Sequence, residues 1–278
     1  LFLRFFLFAF YGLAQMVLSS TLIIDTSESF QRTEANHSSS WFGRFALSLG
    51  PVLSLVVFQY SGFSWALLAS IICGLVAILL IMMVKFPFKT NDGDTKVLSS
   101  DRFFLTQGKW LFANLMITTS VIGLLLSTRL SFPFYGMVMG GFIMALLAQK
   151  FVFAQAELES EVISGIILIG GAILMMLTRH QTIVFYLSPL LIGLGIGIIG
   201  SRFLLFFIKL SHHSQRGTSQ STFLLGWESG IGIGLFIGYA LMYDQPRLIY
   251  ITSIILLFVS FLIYHFFTHK WFMKHKNR

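Results

Sequence analysis

The sequence predicts an all-α polytopic membrane protein with about nine transmembrane helices, and three observations predict it. Hydrophobic residues make up 56% of the 278 positions and charged residues only 11%, against roughly 25% charged in ordinary soluble domains. The mean hydropathy is +0.82. Apolar runs recur at the length of about 20 residues that a helix needs to cross a hydrocarbon core of about 30 Å. Together they exclude a disordered chain, a coiled coil and an ordinary soluble enzyme. A soluble chain of this length could not hide so much apolar surface.

The runs cover roughly 1–24, 41–60, 64–85, 109–128, 131–149, 162–178, 183–208, 219–242 and 248–268. The longest polar gap, 86–108, carries Lys89, Asn91, Asp92, Gly93, Asp94, Lys96, Asp101 and Arg102. It reads as a solvated linker. It divides the chain into 1–85, with three spans, and 109–278, with six spans and a basic tail.

The net charge of +8 would suggest nucleic acid in a soluble protein. Here most basic residues lie between apolar runs and read as topology signals, so the bilayer is the expected partner and no nucleic acid is. Polar gaps alternate sides. One side holds Arg32, Lys85, Lys89, Lys96, Arg102, Lys109, Lys150, Lys209, Arg216, Lys270, Lys274, Lys276 and Arg278, and the other Arg129, Arg179 and Arg247. The positive-inside rule then puts the basic side and the C-terminus in the cytoplasm. Nine spans place Leu1 outside, already within an apolar run. Three further upstream spans, for twelve in all, would bring the N-terminus inside and are expected.

The two halves share a pattern. An offset of 184 positions pairs Gln31 with Gln215, Arg32 with Arg216, Ser38 with Thr222 and Gly50 with Gly234, and sets Arg44 opposite Glu228. Parallel repeats of this kind mark transporters built from two related halves.

Of 11 acidic residues, Glu228 alone falls well inside a predicted span. An ionisable group there costs roughly 2.5–3.5 kcal/mol on the insertion scale, so it signals function or pairing. It could take and release a proton during transport, or pair permanently with Arg44 or another cation as a gate. Arg44, shallower in its helix, could equally snorkel to the surface, as Arg202 is expected to do.

Glycines recur at four-residue spacing in Gly193-x-x-x-Gly197 and in Gly226, Gly230, Gly234 and Gly238. Such stripes let helix backbones approach closely, for tight packing or for sliding during a conformational change. No lysine and hydroxyl follow as a phosphate loop requires, so no nucleotide cofactor is expected. Cys73 lies in an apolar run and is expected to be a buried thiol. His265 and His269 share a helix face, but with no third ligand they read as interfacial anchors and no metal site is expected.

These loops and spans resemble the major facilitator superfamily of secondary transporters across nearly the whole chain, as its spans four to twelve. Arg4 with Gly12 resembles the arginine and small residues of that family's fourth helix. Gly43 and Gly50-Pro51 resemble the glycine–proline motif of its fifth, seen especially in exporters. Gly140-Gly141 with Lys150 is similar to its second loop motif, and Arg216-Gly217-Thr218 through Trp227-Glu228 to the eleventh helix of a bacterial subgroup. The resemblance implies two helical bundles, alternating access, an ion gradient as driving force in place of a cofactor, a monomer, and a bacterial inner membrane. It implies that Arg4, Tyr11 and Gln15 face the cavity, and that Asn114, Thr118 and Tyr186 lie on cavity helices as solute contacts. The expected function is a proton-coupled transporter of a small solute and not an enzyme, with export as one direction. The alternative is a non-transporting or decayed membrane protein of the same type, receptor-like or an assembly subunit.

Overall fold

The structure is a computed structural model. It describes Phe10, Ala14 and residues 32–84, 104–128, 130–153, 157–178, 181–212 and 215–276. Every element among the described residues is helical. Among the described residues eight helices are long and apolar enough to cross a membrane, which makes the chain a multi-pass membrane protein. They fall on eight of the nine expected spans; the run 1–24 lies outside the described residues.

Helix α1 spans Arg32–Ser61 with Pro51 inside it, and α2 spans Phe63–Met82. A single residue turns the chain between them. Gly62 sits at φ 87°, in the left-handed region that only glycine enters without strain. Then come α3 (Lys109–Leu126), α4 (Phe132–Phe151), α5 (Leu158–Thr178), α6 (Thr182–Leu210), α7 (Arg216–Leu241) and α8 (Pro246–Ile263). α8 runs on through one π turn, Tyr264–Thr268, into α9 (His269–His275). Prolines open α4 and α8 at their first turns, where the missing N–H has no helical partner to lose.

Helices α3, α4, α5 and α7 pack on the long α6, α8 packs on α3 and α5, and α3 and α7 form a seam of their own. The seams are built from small residues. A Cβ on Gly234 would fall on the Ser120 carbonyl oxygen, and one on Gly123 on the Ile231 carbonyl oxygen. The α4–α6 seam repeats this, with Gly141 against Leu190 and Gly193 against Val138. Backbones this close leave no room for any side chain. Among the described residues the glycine stripes are therefore closed packing surfaces.

α1 attaches by a single stripe. Trp41, Phe45 and Ser48 lie on one face and meet α4 and α6, with Ser48 Oγ donating to Met139 Sδ at 3.1 Å. Among the described residues α2 buries none of its side chains, and its main contact is with α1. Cys73, on α2, is consequently exposed. The expected burial of the thiol is not found, because no described helix covers that part of α2.

Candidate functional site

Glu228 is the thirteenth of the 26 residues of α7. At 1.5 Å per residue it stands about 18 Å from the helix start. The helix begins at Arg216, three residues before the expected span. α7 has two faces. Gly226, Gly230 and Gly234 are buried against α3, whereas Leu225, Glu228, Gly232 and Phe236 form an exposed stripe. Glu228 belongs to the second face. It forms no ion pair among the described residues. The side chains of Arg44 and Arg216 lie outside the described residues, as do Arg4, Tyr11 and Gln15 altogether.

The neutral candidates divide. Asn114 and Thr118 are four residues apart and meet one partner, Ser260 of α8. Asn114 Nδ2 donates to the Ser260 carbonyl at 2.9 Å, and the Thr118 and Ser260 hydroxyls are 2.7 Å apart. Both are buried within the α3–α8 seam, where Asn114 Oδ1 has no partner among the described residues. Tyr186 is exposed on α6 and packs edge-to-face on Phe185. Gly43 and Gly50 are exposed and Pro51 is half-buried on α1. Gly230 and Gly234 belong to the α3–α7 seam, where a Cβ on Gly230 would strike Thr119 Oγ1. The structure thus brings Asn114 and Thr118 together and keeps Glu228 and Tyr186 apart from them.

A second charged cluster lies at the basic end of the bundle, and the sequence reading missed it. Arg202 Nε donates to Glu161 Oε2 between α6 and α5. Arg202 therefore does not snorkel alone; a carboxylate only 1% exposed holds it. Two residues earlier on α5, Glu159 meets His265 Nδ1 at 2.7 Å and lies 3.6 Å from His269 Nε2. The Tyr264 hydroxyl is 3.1 Å from His269 Nδ1. The π turn at 264–268 sets this geometry, because its extra residue rotates His265 and His269 relative to α8. The missed signal is the run Glu157, Glu159, Glu161. Alternate acidic residues before an apolar stretch read as a solvated cap, yet α5 starts at Leu158 and carries the last two into its first turn. No group of three or more His, Cys, Asp or Glu side chains among the described residues is arranged to hold a metal.

A scan against protein-family models finds no match, and a search of curated proteins finds no relative.

Proposed function

We propose that this chain is a secondary active transporter of a small solute, working by alternating access and driven by protons. Glu228 is the coupling carboxyl. One observation supports this reading above the others: a carboxyl at the midpoint of a membrane helix, on that helix's exposed face, while the opposite face is locked into a neighbour. An acidic group kept only for structure is expected in a buried pair, as Glu161 is with Arg202. An acidic group on an open face can exchange a proton with a water-filled path or a moving partner. The arrangement resembles the two-bundle transporters named above, with α1 and α2 as part of one bundle and α3 to α8 as the other, in a bacterial inner membrane with the C-terminus cytoplasmic. An uncharged, sugar-like or amphipathic solute is proposed from the resemblance and from the neutral polar residues of the sequence.

The test uses the full chain in proteoliposomes loaded with a pH-sensitive dye, challenged with a panel of neutral sugars and amphipathic solutes. Wild-type protein should show solute counterflow and uphill accumulation under an imposed pH gradient. Glu228→Gln should keep counterflow and lose uphill accumulation. Unchanged uphill accumulation in the variant removes Glu228 from coupling. No counterflow across the panel puts the non-transporting membrane protein in first place.

A further inference from the structure

The charge-poor end of the six-helix bundle holds a cavity of about 300 Å³. It is a half-open pocket bounded by the ends of α3, α4, α5 and α6 and by α8. It has no lining residue from α7, the helix of Glu228, so it does not depend on the transport reading. Its walls are mixed. Phe134, Val184 and Pro189 supply apolar surface, and Ser131, Gln181 and Tyr250 supply neutral polar groups. No charged side chain is among the described lining residues.

Two features of this cavity need a partner. Ser131 occupies the N-cap position of α4, where a serine ordinarily turns its hydroxyl onto the first helical N–H groups. Here it makes no such bond. Its Oγ is buried with no partner among the described residues. Pro189, inside α6, has no N–H, so the carbonyl of Phe185, another wall residue, loses its helical donor. Just behind this wall the Ser188 hydroxyl is fully buried and also has no partner among the described residues. A buried hydroxyl without a partner keeps an uncompensated loss of hydration, which calls for an unseen group at the site.

We propose that this cavity binds an uncharged amphiphile: a compact apolar body carrying one hydroxyl, which pairs with Ser131 while the body packs on Phe134 and Val184. Size sets the class. A dry cavity of roughly 150 Å³ accepts one benzene ring, so twice that volume suits a two-ring or short-chain body. The neutral polar groups of Ser131, Gln181 and Tyr250 on the described wall match a neutral hydroxyl.

The probe is 2-naphthol, with naphthalene and 2-naphthoate as controls, titrated by fluorescence against the purified full chain in nanodiscs. Empty nanodiscs correct for partitioning. Saturable binding of 2-naphthol, displaced by 1-octanol and at least tenfold weaker for 2-naphthoate, is expected. Val184→Phe, which fills the cavity, should abolish it. Ser131→Ala should weaken 2-naphthol about fivefold, the worth of one neutral hydrogen bond, and leave naphthalene unchanged. Should Val184→Phe fail to fold, Ser131→Cys in a Cys73→Ala background gives a second readout, since Cys73 is the single native cysteine. Maleimide labelling at position 131 should slow when 2-naphthol is present. Non-saturable partitioning, or no protection of position 131, overturns the proposal and leaves the Ser131 hydroxyl to water alone.

Discussion

Helix α2 and helix α7 are both membrane helices, and α2 is the more apolar of the two. Yet α2 buries nothing, whereas α7 is locked along one face into α3. The difference teaches what hydropathy measures. In lipid, apolar surface gains nothing by turning towards protein, because the tails are as apolar as leucine. Close backbone approach and satisfied polar groups hold helices together instead. α7 has them, in Gly226, Gly230, Gly234 and Gly238. α2 has a lone Gly74, and a Cβ added there would meet nothing within 4 Å. The six helices from Lys109 onward therefore form a self-supporting unit. α1 and α2 lean on it through one stripe.

The largest test of that contrast is inside the unit. Arg202→Ala should strand Glu161 as a buried, unpaired charge and cost about 3–5 kcal/mol, whereas replacing both partners with neutral side chains of similar size should restore most of the loss. Thermal unfolding of the purified protein in detergent, followed by tryptophan fluorescence, checks this. Equal stability of the single and double variants would show that the pair contributes little.

A matched pair of glycines comes next. Gly234→Ala should lose about 1–3 kcal/mol through forced separation of α3 and α7. Gly74→Ala should gain up to about 1 kcal/mol, because alanine is the better helix former and the space is open. The same unfolding measurement reads both. Destabilisation by Gly74→Ala would mean that α2 has a packed partner after all.

The span positions were legible because a bilayer imposes one length on every helix and excludes charge from it. The glycine seams were legible too, since four-residue spacing of small residues has few other causes. What failed was the fate of charges near span ends. Arg202 and Glu161 are 41 positions apart, and sequence spacing along one helix says nothing about a partner on another. Nor could the π turn be read: Tyr264–Thr268 has no glycine or proline to mark it, and only the turn sets His265 and His269 beside Glu159. Cys73 failed for a related reason. An apolar run guarantees burial in the membrane, not in the protein.

A smaller effect is expected where Thr118 meets Ser260. Hydrogen bonds between membrane helices average about 0.6 kcal/mol, with a maximum near 1.7. A double-mutant cycle with Thr118→Val and Ser260→Ala should return a coupling in that range. A coupling near zero would reduce the α3–α8 contact to shape alone. It would also free Asn114 and Thr118 for the solute role that their present burial leaves without access.

The smallest change in overall stability should come from Trp41→Ala, although Trp41 is only 4% exposed. In a soluble protein, truncating a buried tryptophan costs about 3–5 kcal/mol, much of it from bringing apolar surface into water. Here water does not enter; lipid tails take the place of the ring, so the loss of its packing against the Gly197 region and Phe45 weighs less. The six-helix unit should then unfold at nearly the wild-type temperature, while α1 comes away from it. Ser48→Cys, in a Cys73→Ala background, reports that release. Ser48 is buried against Met139, so its reaction with a small membrane-permeant maleimide should be slow when Trp41 is present and severalfold faster in Trp41→Ala. If Trp41→Ala instead lowers the unfolding temperature as far as Gly234→Ala does, α1 is a member of the unit. The boundary between the two regions would then move from the linker to the turn at Gly62.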